Sequence, residues 1–471
     1  MINIKTRYIR IAGLFYLFIP VLIFFLGWLH WYLSVPLCLL MCLGLYKTVL
    51  VTGGTTLTVS WKKLLFILLI LLLWSILSGV GRYVWQNEDH YWRNAIFNDL
   101  VNYDWPVTNG NYSLCYYFGY WLPAALIGKL FSSIAVGNVF LLLWTWIGLS
   151  FFYFLISDYL KQVRIGILFV LIFFSGIDLF GYAALYLKTH SFSALLSHLT
   201  TFPHLEWSHI PFQASSISTL LFWVFNQAVP FFVGMMLLLL NKNWKFAPFQ
   251  YSLLLIFSPF PFVGFAPVMA YWGIKEGQKT GWGTFLKKNM TLENLAAILI
   301  ILVVGIFYLS NIAAGESGFR TPTSKYLFYL LTQYVIYFFF IFKTNSRDPL
   351  LWTLFITCLV LSLVNLGEST DFCMRTNIPL TIYLMLLVMK YMYTVSVEKK
   401  MKTLLIVVFM LGAITPFFEI ARTVRETCLC ISPGEDCERK FTMDDSIFDK
   451  KLTGPNFLGR EESLFNRYLM K

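Results

Sequence analysis

Residues 1–87 contain neither aspartate nor glutamate, and the 471-residue chain carries only 36 Lys plus Arg and 24 Asp plus Glu. So little charge, beside 58% hydrophobic and 19% aromatic residues, cannot clothe a water-soluble surface of this size. Long polar stretches are missing as well. The longest are a loop after residue 81, another around 188–214 and the residues from Ala421 onward, so no large soluble catalytic domain fits between the apolar segments. The Lys-rich connectors, among them Trp61-Lys62-Lys63 and residues 398–402, lack a glycine-rich phosphate loop and metal-ligand spacing. That absence argues against a soluble nucleotide or nucleotide-sugar donor, and no nucleic-acid partner is expected. Acid first appears abruptly, with Glu88, Asp89, Asp99 and Asp104 arriving within 17 residues.

What the sequence has in abundance is apolar runs. Crossing a bilayer takes about 20 such residues, and runs occur near 11–29, 33–52, 64–81, 134–157, 165–187, 215–240, 294–312, 324–342, 349–366, 377–394 and 403–420. The mean hydropathy of +0.68 agrees with that proportion. Lys5, Arg7 and Arg10 precede the first run, which lacks a small-residue cleavage site and reads as a retained helix. Residues 246–274 are also apolar, but Ser258-Pro259-Phe260-Pro261-Phe262 interrupts them. Each arm is then about 12 residues, or about 18 Å of helix, too short for a hydrocarbon core of about 30 Å. Read as a re-entrant hairpin, this segment leaves 20 Lys plus Arg on the cytoplasmic side and 7 outside before residue 421, the asymmetry that the positive-inside rule favours.

The expected fold is therefore an all-α polytopic membrane protein of about 11 transmembrane helices plus the hairpin, set in a plasma or inner membrane. Four units are expected: an N-terminal hairpin over 1–62, a module with both large external loops over 63–240, the re-entrant hairpin and later spans over 241–420, and an external tail over 421–471. Loops 82–133, 188–214, 315–324 and 367–376 then share the external face with that tail. Polar chemistry converges there.

In the first loop, Ala95, Ile96, Phe97 and Leu100 give a short apolar stripe, which predicts an interfacial helix over 89–101. Asp89, Arg93 and Asn94 share a face of it, with His90 and Asp99 on the same helix. Taken alone, this is a solvated helix start with a local ion pair; beside Trp85, Tyr91, Trp92, Tyr103 and Trp105 it is also placed to serve a membrane-borne substrate. A second interfacial helix is expected over 116–131. The second loop holds His190, His198, His204 and His209, with Glu206 between the last two. The i, i+5 histidine spacing and the flanking Pro203 and Pro211 do not make a helical zinc pair, leaving sugar or phosphate hydrogen bonding or a structural loop.

Asp178, between glycines inside an apolar run, is either a functional intramembrane acid or a helix cap. Two short external loops share a Gly-Glu-Ser start and end on Arg320 and on Arg375, the latter preceded by Asp371. Either arginine snorkels to headgroups or its planar fork grips phosphate oxygens. Cys38, Cys42 and Cys358 lie in apolar runs. Cys428, Cys430 and Cys437 fall in the tail, where one disulfide of open pairing is expected. Phe441, Ile447, Phe448, Leu452, Phe457, Leu458 and Leu464 are candidate anchors that fold the tail over the external face.

This layout resembles the GT-C superfamily of integral-membrane glycosyltransferases. The resemblance covers most of the chain as architecture; as a motif it rests on the acidic pair Glu88-Asp89 opening the first large external loop. It differs in placing that loop after the third span instead of the first. The resemblance implies a polyprenyl-phosphate-linked sugar as donor and membrane lipid as surroundings, with Asp89 as first choice of catalytic base and Glu88 as second. It also implies Arg320 or Arg375 on the lipid phosphate, and it leaves open a divalent cation oriented by the acid. A transporter or flippase for a lipid-linked substrate, and a non-catalytic scaffold, are the readings from other classes.

Overall fold

Local chemistry places most of the helix starts in this computed structural model, which describes residues 1–241, 243–312, 317–367, 370–395, 398–431, 446–449 and 455–471. Helices α1 (Thr6–Trp28) and α2 (Trp31–Val51) form a hairpin whose ends are tied by antiparallel strands β1 (Ile2–Lys5) and β2 (Thr56–Val59). Ser60 then caps α3 (Trp61–Leu77) by accepting from the Lys63 N–H. The helix expected in the first loop is present as α4 (Asp89–Asn102). The second one is shorter than expected. After strands β3 (Thr108–Asn109) and β4 (Tyr112–Leu114), an irregular stretch and a tight turn at Gly119–Trp121 occupy its first part, and α5 (Leu122–Leu130) begins where Pro123 suits a first helical turn.

Ser133 and Ser216 cap α6 (Ile134–Leu160) and α10 (Ile217–Leu240) in the same way as Ser60. Between them, the run expected over 165–187 is broken into α7 (Ile165–Phe173) and α8 (Asp178–Tyr186), followed by α9 (Phe192–Leu199). The segment 246–274 is not a hairpin of two equal arms. It holds the six-residue α11 (Ala247–Ser252) and the 22-residue α12 (Pro259–Thr280). Pro259 opens α12 instead of breaking a helix, since a first-turn proline forfeits no intrahelical bond. Next come α13 (Trp282–Asn289), α14 (Leu292–Leu309), β5 (Ser317–Phe319), and α15 (Ser324–Leu330) with α16 (Ile336–Asn345). After α17 (Pro349–Leu361), β6 (Val364–Leu366) pairs with β5. The short α18 (Asp371–Thr376), α19 (Ile378–Tyr393), α20 (Lys399–Gly412) and α21 (Ile414–Ile431) follow.

Among the described residues, eight helices are long and apolar enough to cross a membrane, with α7–α8, α15–α16 and α20–α21 each counted as one interrupted helix, so the chain is a multi-pass integral membrane protein. Three of the eleven expected spans form shorter helices: α3 has 17 residues, α17 has 13 and α19 has 16. The expected boundary at residue 421 falls inside α21, which continues to Ile431, with Arg422 donating to the Phe202 carbonyl and Thr427 accepting the Trp85 N–H.

Beyond α21, strand β7 (Leu458–Arg460) pairs with β4 and Lys471 N–H donates to Trp28. Ile447 and Leu458 are buried and Phe457 stacks on Trp92, as expected of anchors. Leu464 is instead exposed, and the neighbouring Phe465 enters the core against Phe24 and Phe307. Cys430 is disulfide-bonded. Cys437, Phe441, Leu452, Gly315, Glu316, Glu368 and Ser369 lie outside the described residues.

At the opposite end of the bundle, two fully buried acids tie helix ends together. Asp158 accepts from Arg10 Nε at 2.7 Å, Thr55 Oγ1 at 2.7 Å and Lys161 Nζ at 3.0 Å. Glu293 receives Lys47 and Lys245 at 3.1 and 3.4 Å. Removing one partner of a buried pair strands the other charge. Asp158→Ala is accordingly expected to cost about 3–5 kcal/mol, read as a lower melting temperature in detergent, with Arg10→Met recovering part of the loss when added. A double variant no more stable than the single one would contradict this role.

Candidate functional site

The geometry begins with a break in α10. At Val224 the backbone leaves the helix (φ −138°, ψ 37°), and the carbonyl of Phe222 accepts side-chain donors from the first loop: Asn87 Nδ2 at 3.0 Å and His90 Nε2 at 3.1 Å. Asn87 Oδ1 accepts the Asp89 N–H at 3.2 Å. The start of α4 is thereby pinned to the kink.

This junction places Asp89 on the wall of a 310 Å³ cavity shared with His204, Glu206, Asp371, Arg375 and Glu419. Two arginine–aspartate pairs of the same spacing are built into its surroundings. Arg93 holds Asp89 at 2.6 Å and Arg375 holds Asp371 at 2.8 Å; each guanidinium is about 5% exposed, whereas the two aspartates are 41% and 40% exposed. Arg375 is sandwiched between the rings of Tyr117 and Phe260 and donates to Tyr117 Oη at 2.8 Å. Burial alone lowers an arginine pKa, but Asp371, the two tyrosines 117 and 116, and Asp89 outweigh it, so Arg375 is held more firmly charged than usual. Helix α12 supports this corner at close range. A Cβ on Gly264 would stand 2.1 Å from the Thr376 carbonyl, so only glycine lets α18 lie so near.

The deeper wall is carboxylate-rich. Glu206 is buried on a short 3₁₀ turn and accepts from Thr219 Oγ1 at 2.7 Å, Ser216 N–H at 2.9 Å and Gln213 Nε2 at 3.3 Å. Gln213 in turn accepts from Thr370 Oγ1 at 2.7 Å, linking Glu206 to the start of α18. Glu419, from α21, accepts from Trp223 Nε1 at 3.0 Å and from Arg422 at 3.0 Å. Arg422 also reaches His204 Nδ1 at 2.8 Å, closer than the 3.2 Å between that nitrogen and Glu419. Trp207 stacks on His204 with ring centroids 4.2 Å apart, and its ring is half-exposed at the cavity.

Of the residues singled out in the sequence, Asp89, His204, Glu206, Asp371 and Arg375 therefore meet at one cavity, with Arg93 immediately behind Asp89. The others are placed elsewhere. Glu88 is exposed beyond the helix start. His90 is buried and its pKa falls to about 3, chiefly through burial and then through Arg93, so it is a neutral structural group. Asn94 donates to Gln86 at 2.7 Å. Asp99 accepts the Ile447 N–H at 2.8 Å and holds the tail. Asp178 opens α8 and is bonded by Ser175, Gln333 and Thr415, away from the cavity, and His209 lies behind it against Thr332. Arg320 donates to the Pro211 carbonyl at 2.8 Å and to Asn365 at 2.6 Å, joining two loops. Among the described residues no three His, Cys, Asp or Glu are gathered closely enough to hold a metal ion.

Glu419 was missed because it ends an apolar run read as a span; its acid inside that run is the same signal that singled out Asp178. No family model, no curated protein and no solved structure matches this chain.

Burial pushes the Glu206 carboxyl up to about 8, and the neighbouring Asp178 and Glu419 add to the shift. The unfolded chain loses this proton near 4.5, so the folded state binds the extra proton in between. Stability should then fall by up to about 1.4 kcal/mol per pH unit as pH rises through that window and level off above it. Glu206→Gln, neutral at every pH, is expected to flatten that part of the profile in melts recorded from about pH 5 to about pH 9. Identical slopes for wild type and variant would contradict the buried neutral carboxyl.

Proposed function

We propose that the chain is a membrane glycosyltransferase that moves a sugar from a polyprenyl-phosphate donor to an acceptor hydroxyl on the external face, with inversion. The observation that carries this reading is the meeting of Asp89 and Arg375 in one cavity, a base beside a phosphate-binding cation. The architecture that resembles GT-C enzymes, the acidic opening of the first external loop and the basic connectors on the other side support it.

Each cavity carboxylate has a different task by virtue of its surroundings. Glu206 favours its neutral form, and Glu419 is engaged by Trp223 and Arg422. Asp89 and Asp371 remain half-exposed and held by arginine. Asp89 accepts the acceptor's hydroxyl proton, and the oxygen attacks the anomeric carbon as the bond from that carbon to the phosphate oxygen breaks. The bonding electrons leave with the polyprenyl phosphate, whose charge Arg375 meets through its planar fork. The half-exposed face of Trp207 offers an apolar surface to the sugar ring.

Transport of a lipid-linked substrate is the other reading. It asks Asp178 to face a pathway, whereas that acid is sealed among three donors.

Asp89→Asn preserves size and should reduce transfer by about 10²- to 10⁴-fold in protein that is folded but melts at a lower temperature, because the buried Arg93 loses its carboxylate. Arg375→Lys should raise KM for the lipid-linked donor, because an ammonium cannot make the two-pronged contact. Both are measured with extracted polyprenyl-linked sugars and purified protein. Wild-type transfer by the Asp89→Asn protein would remove Asp89 from the role of base.

A further inference from the structure

A second cavity, of 510 Å³, lies at the far end of the bundle, where the C-terminal ends of α2 and α10 meet the start of α1 and the helix α11. Its walls are divided. Leu14, Val51, Leu237 and Leu240 supply apolar lining and Arg10, Thr55, Asn241 and Gln250 polar lining, with no carboxylate on it among the described residues.

Two buried amide atoms there have no hydrogen-bond partner among the described residues. One is a donor, Asn241 Nδ2, and the other an acceptor, Gln250 Oε1, on a side chain from a residue only 5% exposed. A buried orphan of each sign is costly unless something brought in satisfies it. The charges are also divided. Arg10 directs Nε and Nη2 at Asp158, while Nη1 has only a 3.4 Å contact with the Leu240 carbonyl. The last turns of α2 and α10 present carbonyl groups and the negative ends of two helix dipoles. The cavity thus offers donors and acceptors together with apolar lining.

We propose that this cavity binds an aminophospholipid with a primary ammonium, of the phosphatidylethanolamine type. Its phosphate lies against Arg10 and Asn241, its ammonium against Gln250 and the helix-end carbonyls, and its acyl chains along the leucines. A phosphocholine headgroup has the same charges but no N–H to give Gln250. A phosphatidylglycerol brings a second-sign mismatch, an anion without the ammonium that the carbonyls favour. The site is independent of the sugar-transfer reading, being built from different residues at the opposite end of the bundle.

The test is native mass spectrometry on the full-length, delipidated protein titrated with dioleoyl lipids of the three headgroups. Phosphatidylethanolamine should be retained at about tenfold lower concentration than either of the others, the worth of about one charged hydrogen bond. Gln250→Leu should abolish that preference, and Gln250→Glu should increase it; melting curves check that each variant is folded, and Gln250→Met is the replacement if Gln250→Leu is not. Equal retention of the three lipids, or an unchanged preference in folded Gln250→Leu or Gln250→Met, would overturn the proposal. Binding of soluble O-phosphoethanolamine as tightly as the lipid would overturn the part assigned to the acyl chains.

Discussion

An arginine almost excluded from water must keep a carboxylate beside it, and this chain meets that demand repeatedly. Arg10 pairs with Asp158, Arg93 with Asp89, Arg375 with Asp371 and Arg422 with Glu419. Desolvating either partner alone costs several kcal/mol; the first pair joins α1 to α6, whereas the other three lie within α4, α18 and α21 and fix each side chain on its own helix. At one end of the bundle this locks helix termini. At the other it sets three acids around a common space, two of them with an outward-facing carboxylate and a sheltered cation. The fourth acid of that space, Glu206, is satisfied by neutral donors and favours the protonated form. Neutrality of the empty cavity follows from this arrangement: three matched pairs and one neutral carboxyl.

How much of this was readable in the sequence depends on how far apart the interacting residues lie. Helix α4 and its Asp89–Arg93 pair were legible because both the apolar stripe and the ion pair are local, i to i+4. The Asp371–Arg375 pair is local too, and both residues were singled out. The contact of His204 with Glu419 spans 215 positions, and nothing in either neighbourhood announces it. Composition obscured it further, since Glu419 sits at the end of an apolar run that reads as a span. Arg320 shows the converse error. Scarcity of external arginine made it a phosphate candidate, but its fork is directed at a backbone carbonyl and Asn365.

Proline was misread for a physical reason. A proline in the middle of an apolar run predicts a break, yet the same residue is favoured in the first turn of a helix. Pro259 does the latter, which turns a symmetrical hairpin into one long helix with a short irregular approach. That helix matters for the cavity, because Phe260 at its start covers one face of the Arg375 guanidinium and Gly264 lets α18 pack closely against it.

The way residues 447–471 bind back has a consequence for how the molecule is made. Asp99 on α4 receives Ile447, Trp92 on the same helix is covered by Phe457, and β7 completes the sheet begun by β4. These partners emerge from the ribosome only after the eight long apolar helices found among the described residues. Until they cross to their side of the bilayer, the helix that carries Asp89 has an unfilled face and an acid without its backbone donor. Completion of that face therefore waits on the segment from residue 447 onward, and a protein clipped before it would leave α4 without the partners that cover it.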